Sequence, residues 1–123
     1  MNFKDNVPIY LQIKDLIITK IATGKLEPGN KLPSVRELAL ELSVNTNTVQ
    51  RALSNLTDSG IVKTERGRGN YVTDDPELVT QLKIDLVNKQ LDEMYQNLRQ
   101  LNLTNEEIVV YLKYYLEEHE NEK

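Results

Sequence analysis

Five polar residues near the middle of the chain carry side chains of the kind that recognise DNA bases. They are Thr46, Asn47, Thr48, Gln50 and Arg51. Asn and Gln amides pair with N6 and N7 of adenine, whereas an Arg guanidinium pairs with O6 and N7 of guanine or with a phosphate. An α-helix fits the major groove, and the residues of its first turns then face the base edges. One helix that displays this group could therefore read a base sequence.

Two more groups of residues could contact the DNA backbone. Ser34 and Arg36 stand at the start of a predicted helix, where free N–H groups and the helix dipole attract phosphate. Further along, residues 65–69 combine two arginines with two glycines, which let a backbone approach its partner closely. Such arginines could enter the minor groove or clamp a phosphate. The expected contacts of this kind are Ser34, Arg36, Arg66, Gly67, Arg68 and Gly69.

Capping signals place the first two groups on a pair of helices. Ser34 and Glu37 form a capping-box pair, and Asn45 is a good N-cap for the helix that begins at Thr46. Two short helices joined by about three residues, the second polar on one face, match the helix-turn-helix arrangement. The first predicted helix begins near Pro8 and ends at Gly24, the second follows Ser34 and stops at Ser43, and the third runs from Thr46 to about Asp58.

A β-hairpin is predicted directly after the helix that begins at Thr46. The strands span residues 61–64 and 70–73, and the basic, glycine-containing segment lies between them. Pro28-Gly29 suits a tight turn, bracketed by short β contacts at Leu26 and Leu32. Each segment alone fits a solvated polar surface as well as a DNA contact. Their order and combination, a helix-turn-helix followed by a basic wing, favour DNA binding.

From residue 76 onward the sequence predicts two helices with apolar faces. Asp75 or its neighbour can cap the first of them, with Pro76 as its first residue. Thr104 and Glu107 form a second capping box at the start of the last helix. The inward residues predicted for that helix are Ile108, Tyr111, Leu112, Tyr115 and Leu116. Along the first helix, a 3-4-3-4-3 spacing typical of paired helices joins Ile84, Val87, Leu91, Met94, Leu98 and Leu101.

This apolar seam must be buried against another surface, and a symmetric second copy of the chain is the commonest solution. The alternative is that the seam packs only on the last helix of the same chain. We expect residues 76–123 to form a helical dimerisation hairpin and residues 1–75 to form the DNA-binding domain. The expected dimer contacts are Ile84, Val87, Leu91, Met94, Leu98, Leu101, Leu112 and Tyr115.

The formal net charge of −4 is unevenly distributed along the chain. Residues 1–75 contain ten Lys or Arg and nine Asp or Glu, a net of +1, whereas residues 76–123 contain five and ten, a net of −5. Phosphate binding depends on the local field and not on the total charge. The acidity of the last third is therefore compatible with DNA binding by the first two thirds.

Other classes of function find little support. The chain has no cysteine, no apolar run long enough to span a bilayer and no signal peptide, so we expect a cytoplasmic protein that does not bind membranes. No nucleophile–base pair or phosphate-binding loop indicates an enzyme, and no cofactor is predicted. His119 stands among glutamates, but a solvated helix end is favoured over a metal site. An unknown small-molecule effector could bind between subunits at Tyr95, Tyr111, Tyr114 and Tyr115, although ordinary packing is favoured.

Several short segments resemble a known family. They are Pro8-Ile9-Tyr10-Leu11-Gln12-Ile13, Gly24-Lys25-Leu26, Pro28-Gly29, Leu32-Pro33-Ser34-Val35-Arg36-Glu37-Leu38-Ala39, Val44-Asn45, Thr48-Val49-Gln50-Arg51-Ala52-Leu53, Gly60-Ile61 and Gly67-Arg68-Gly69-Asn70-Tyr71-Val72. Together they resemble the DNA-binding domain of the GntR family of bacterial transcription regulators. By that resemblance the DNA contacts would be Arg36, Thr46, Asn47, Thr48, Arg51 and Gly67 to Gly69.

The short two-helix tail resembles the YtrA subfamily, whose members form homodimers and often repress transporter operons. Many family members carry Arg or Pro where Thr46 and Asn47 stand, so the base preference does not carry over. We expect a mainly α protein with a small β-hairpin, an N-terminal winged helix-turn-helix and a C-terminal helical hairpin. The expected function is that of a homodimeric repressor on a palindromic operator. The alternative is a winged-helix module that binds a protein partner and no DNA.

Overall fold

The computed structural model describes residues 3–121 and shows a mainly α-helical chain with one antiparallel β-hairpin. The chain divides into two compact units, the first ending at Leu86 and the second beginning at Val87. The fold class predicted from the sequence is confirmed. In chain order the elements are α1 (Ile9–Ala22), α2 (Val35–Leu42), α3 (Thr46–Asp58), β1 (Val62–Glu65), β2 (Gly69–Val72), α4 (Pro76–Arg99) and α5 (Asn105–Glu118).

The core of the first unit lies where α1, α2 and α3 meet the hairpin. Helix α1 contributes a buried stripe at every fourth residue, Ile13, Ile17 and Ile21. Burial of each such side chain stabilises the fold by about 1.5–3 kcal/mol, so this core holds α3 firmly in place. The partners of the α1 stripe include Leu38, Ala39, Val49, Ala52, Leu53, Leu56, Val62 and Val72.

Side-chain caps and one left-handed residue define the turn between α2 and α3. Ser43 adopts a φ of 56°, and the N–H of Val44 donates to the carbonyl of Ala39, which ends α2. The side chain of Asn45 then accepts a hydrogen bond from the N–H of Asn47 at 2.8 Å and starts α3. The predicted helix-turn-helix is confirmed at both of its helix ends.

The hairpin pairs Val62 with Val72 and Glu65 with Gly69. The first strand begins one residue later than predicted, because the N–H of Ile61 donates to the carbonyl of Leu56 at the end of α3. The second strand begins one residue earlier than predicted. Residues 30–32 lie along β2: the N–H of Leu32 donates to the Asn70 carbonyl, and the N–H of Val72 donates to Asn30, both at 2.8 Å. The β contact predicted at Leu32 is therefore confirmed.

The β contact predicted at Leu26 is wrong. The N–H of Leu26 donates to the carbonyl of Lys20 at 3.0 Å, so it closes the end of α1 and does not extend a sheet. The side chain of Leu26 packs against the core of the first unit. The last carbonyls of a helix have no partner within the helix, and the carbonyl of Lys20 accepts from the N–H of Leu26 in the segment that follows.

Helix α4 begins as predicted, with Pro76 at its first position and the Asp75 carboxylate accepting from the N–H of Glu77 at 3.0 Å. Leu82 is buried, and Leu78 and Val79 also pack on the core of the first unit. This packing explains why the first compact unit extends past residue 75, where the sequence predicted a domain boundary. The division of roles between residues 1–75 and 76–123 stays a prediction.

The second unit contains the end of α4 and the whole of α5. Asn102 has a φ of 63° in the connection, and Thr104 and Glu107 form the predicted capping box. The hydroxyl of Tyr95 donates to Asn105 at 3.1 Å, and Ile108 is the buried residue of α5.

One prediction for the second unit is wrong: helix α4 ends at Arg99, so Leu101 lies in a turn, 69% exposed, and does not continue the helical seam. Tyr111, Tyr115 and Leu116, predicted to face inward, are exposed in the single chain by 61%, 58% and 58%. Burial of Tyr115 against a second copy stays a prediction. The two helices of one hairpin can cover only a narrow stripe of α5, which Ile108 and the half-buried Leu112 occupy.

Candidate nucleic-acid interface

The polar face predicted for α3 is present and exposed. Thr46, Asn47, Gln50 and Arg51 are exposed, whereas Thr48 is half-buried. Val49, Ala52, Leu53 and Leu56 on the opposite side are buried, so the helix is divided sharply into a core face and a polar face. This division presents the hydrogen-bonding side chains of the first two turns together.

One residue of this face already has an intramolecular partner. The side-chain amide of Gln50 donates to the hydroxyl of Ser54 at 3.3 Å, one turn further along α3. This bond uses one of the two amide hydrogens and leaves the other hydrogen and the amide oxygen for a ligand.

Arg51 has a partner that the sequence did not indicate. Its guanidinium carbon lies 3.9 Å from the centroid of the Tyr10 ring, a cation–π contact between α3 and α1. Tyr10 occurs in one of the segments that resemble the family, but spacing along the chain gives no sign of its proximity to Arg51. Only the packing of α1 against α3 brings the two side chains together.

The start of α2 is occupied by a carboxylate. The Ser34 hydroxyl accepts from the N–H of Glu37 at 3.1 Å, and the N–H of Ser34 donates to the Glu37 carboxylate at 3.0 Å. The bond from the Ser34 backbone, the bond with its side chain and the charge of Lys31 lower the pKa of Glu37. A phosphate at this helix end would meet that negative charge, whereas Lys31 and Arg36 are exposed cations beside it along the chain.

The hairpin tip, which we call the wing (residues 65–69), presents Arg66, Gly67 and Arg68 to solvent. The N–H of Arg68 donates to the carbonyl of Glu65 at 2.9 Å, and Gly67 has a φ of 79°, which favours glycine. The predicted combination of tight turn and exposed cations is therefore present.

Gly69 makes room for Lys31, a cation that the sequence analysis missed and the third after the two wing arginines. A Cβ atom at Gly69 would lie 3.0 Å from Cε of Lys31, and φ at Gly69 is 121°. Lys31 is held there by the bridge between its backbone and Tyr71 on β2. The positive charge of the wing therefore comes from two separate segments of the chain, and no local motif reveals the second one.

Polar side chains connect the wing to α3. The hydroxyl of Thr64 donates to Asn70 at 2.7 Å across the hairpin and lies 3.5 Å from the hydroxyl of Thr57 on α3. At the base of the hairpin, Lys63 and Asp74 form an exposed ion pair at 3.0 Å, and the hydrogen bond from Lys63 lowers the pKa of Asp74. The Thr57–Thr64 approach places the first strand of the hairpin beside α3.

Other kinds of site find no counterpart among residues 3–121. This part of the chain holds no group of His, Cys, Asp and Glu side chains suited to a metal, and none of its helices is long and apolar enough to cross a membrane. The ring of His119 stacks on Tyr115 at 4.0 Å. Of the four tyrosines considered for an effector, Tyr111 and Tyr114 line one shallow groove on α5.

These features define the class of protein: a winged helix-turn-helix with a polar reading helix and a basic wing, the architecture of many DNA-binding regulators. The model of the family described as "Bacterial regulatory proteins, gntR family" matches residues 9–72. The chain therefore belongs to the GntR family, and it is a transcriptional regulator with a DNA-binding helix-turn-helix domain.

Three known proteins show how far the similarity extends. The HTH-type transcriptional regulator YhcF of Bacillus subtilis is 41% identical over 115 residues, which cover 94% of this chain and 95% of YhcF. The HTH-type transcriptional repressor YtrA of the same organism is 37% identical over 92 residues, 74% of this chain and 71% of YtrA. A GntR family transcriptional regulator from Listeria monocytogenes superposes with a TM-score of 0.85 at 40% identity, covering 91% of this chain and 98% of that structure.

Proposed function

We propose that the protein is a homodimeric repressor that binds a palindromic DNA operator with one α3 helix and one wing per half-site. The single observation that carries this proposal is the exposed polar face of α3 beside a basic wing in one compact unit. Helix α3 enters the major groove, where Thr46, Asn47 and Gln50 contact base edges. Arg51 contacts guanine or a phosphate.

The wing and the start of α2 supply contacts that set the register on the duplex. Arg66 and Arg68 project from the hairpin tip, and the neighbouring glycines allow the backbone to approach a phosphate or the minor groove. Arg36 and Lys31 add positive charge near the start of α2, where they offset the Glu37 carboxylate. The hydroxyl of Ser34 remains able to donate to a phosphate while it accepts from Glu37.

Exposed apolar surface supports the homodimer. Ile84, Val87 and Leu91 on α4 are each nearly half exposed, although they continue the spacing of a helix-pairing seam. Apolar surface of this extent usually marks an interface in soluble proteins. A second copy of the chain covers it symmetrically, and two reading helices then address half-sites about one helical turn of DNA apart.

The similarity to the repressor YtrA supports repression as the direction of control. The resemblance to the YtrA subfamily further suggests that the operator belongs to a transporter operon. The repressor would act on chromosomal DNA in the bacterial cytoplasm. Release from DNA would follow from binding of an effector that changes the separation of the two reading helices.

A footprint of the purified protein on the DNA upstream of its own gene tests the proposal. We expect two protected half-sites in inverted repeat, two protomers per duplex, and an affinity that falls steeply with salt because phosphate contacts release counterions. Arg51→Ala should weaken binding by about 1–3 kcal/mol. Unchanged affinity in a variant that lacks the Arg66 and Arg68 charges would exclude the wing as a DNA contact. Wild-type protein that protects no DNA would instead favour the protein-binding module.

A further inference from the structure

Tyr10 lies outside every group of residues to which DNA contacts were assigned, yet it contacts the reading helix. It is the second residue of α1, and its ring faces the guanidinium of Arg51 with 3.9 Å between the guanidinium carbon and the ring centroid. The ring is half-buried and packs against the core of the first unit. Tyr10 is therefore a rigid platform, because the Ile13 to Ile21 stripe anchors its helix.

The cation–π contact leaves the binding groups of Arg51 free. A guanidinium stacks through its flat face, while its N–H donors point outward in the plane of the group. Within residues 3–121 the Arg51 side chain makes no hydrogen bond and no ion pair, and it remains exposed. The contact with Tyr10 therefore orients this cation without using any donor that a base or phosphate would need.

The position of Arg51 on α3 is consistent with a reading role. Arg51 follows Asn47 by one helical turn, so the two side chains share one exposed stripe. A flexible Arg would lose rotamer freedom when it bound DNA, and this loss weakens affinity. Because the Tyr10 ring already restricts the guanidinium in the free protein, Arg51 loses less rotamer freedom when it binds DNA.

We infer that Tyr10 is a positioning residue for DNA recognition, acting through Arg51. The inference rests on the proposed function. Tyr10 holds the guanidinium plane so that its edge donors face the groove, and it makes no contact with DNA of its own. Because cation–π contacts of this kind are weak to moderate, loss of the ring should reduce operator affinity by about 2- to 30-fold.

The test is a double-mutant cycle on DNA. Kd is measured for the full chain and for Tyr10→Leu, Tyr10→Phe, Arg51→Ala and the double variant Tyr10→Leu/Arg51→Ala. The probes are a duplex that the wild-type protein selects from a random-sequence pool and a shuffled duplex of equal length. Thermal unfolding of each variant accompanies the binding curves, so that a loss of folded protein is seen directly.

We expect Tyr10→Leu to weaken binding to the selected duplex more than to the shuffled one. Tyr10→Phe, the matched control that keeps the ring, should bind within about twofold of wild type. In the Arg51→Ala background, Tyr10→Leu should cause no further loss. An equal loss from Tyr10→Leu in both backgrounds would overturn the inference, as would a large loss in Tyr10→Phe, which would mean that the hydroxyl itself binds DNA.

A measurement on the free protein separates this inference from the proposed function. The ring should shift the NMR signals of the Arg51 side-chain protons upfield, and Tyr10→Leu should abolish the shift. Absence of the shift in the wild type overturns the inference whatever the binding data show. Wild-type protein that binds no duplex overturns the proposed function and the inference together, whereas wild-type binding with unchanged Tyr10→Leu affinity overturns the inference alone.

Discussion

The two units of the chain differ in how much of their apolar surface they bury. Ile13, Val49 and Leu56 of the first unit are fully buried, whereas Val109 and Tyr114 of the second unit are each 64% exposed. Three helices and a hairpin can enclose a core, but the two helices of one hairpin cannot. The first unit is therefore built to keep its shape alone, while the second unit has the surface of a part that needs a partner.

This difference matches the division of labour that we propose. A reading helix must hold its side chains in place before DNA arrives, which requires a closed core behind it. A dimerisation element instead needs an apolar face that stays open until a second copy covers it. Four experiments test this proposed difference between the two units.

The largest effect should come from the core of the first unit. Leu53→Ala removes a fully buried side chain and should lower the free energy of unfolding by about 2–5 kcal/mol, because it leaves a cavity. Leu40→Ala, on the exposed face of α2, is the matched control and should change it by about 0.5 kcal/mol or less. Urea unfolding measures both, and equal losses would contradict the view of the first unit as a closed core.

The seam of α4 should control assembly. Val87→Glu with Leu91→Glu places two charges on the exposed apolar stripe and should convert the protein to a monomer in sedimentation experiments. DNA affinity should fall about 100-fold, because two linked half-sites no longer bind as one. Gln96→Glu with Gln100→Glu adds the same charge at exposed positions near the end of α4 and in the turn that follows it, away from Val87 and Leu91, and should leave the dimer intact. A dimer that survives the first pair of substitutions would exclude this seam as the interface.

The two capping boxes allow the same kind of hydrogen bond to be removed from each unit. Ser34→Ala and Thr104→Ala each remove a hydroxyl that accepts from the N–H of a Glu three residues later, at 3.1 Å in both cases. Each change should destabilise its helix by about 0.5–2 kcal/mol. Hydrogen exchange should show the Thr104→Ala effect confined to α5, whereas Ser34→Ala should act on the whole first unit because α2 belongs to its core. A Ser34→Ala effect confined to α2, or a Thr104→Ala effect that spread beyond α5, would contradict this difference between the units.

The smallest effect should appear as a pH dependence of the first unit. The folded state lowers the pKa of Glu37 and of Asp74, so both carboxylates stabilise it above their unfolded pKa values near 4.5 and 3.8. This stabilisation should be lost as the pH falls through the still lower folded values. Thermal unfolding of Glu37→Gln/Asp74→Asn between pH 6 and pH 3 should show a shallower decline than that of the wild type. An identical decline would mean that neither bond stabilises the fold.

Much of the first unit could be predicted because its signals are local. Ser34 with Glu37, Asn45 with Asn47, and Asp75 with Pro76 lie within three residues of one another, and each determines a helix end by itself. Apolar periodicity then indicates which face of each helix is buried. The reading face of α3 follows from the same pattern, because it is the side that the core does not use.

The prediction that was wrong for α4 relied on apolar spacing that continues past the end of the helix. The seam spacing continues to Leu101, but the connection begins earlier, and a left-handed residue at Asn102 turns the chain toward α5. Tyr115 also matched an inward position by period, but the two-helix hairpin of one chain has too narrow an inner surface to cover it, so its burial still depends on the proposed partner. A periodic pattern shows that a side chain is apolar and aligned, and it does not show whether a partner surface exists.

The helices, their caps, the hairpin and the polar side chains proposed to bind DNA could be predicted from the sequence, since each depends on residues a few positions apart. Three contacts became visible only in the folded chain: Arg51 rests on Tyr10, Lys31 fills the space left open at Gly69, and Thr57 lies beside Thr64. Two of these contacts, those of Arg51 and Lys31, join segments far apart along the chain, and all three form because the buried core brings their elements together.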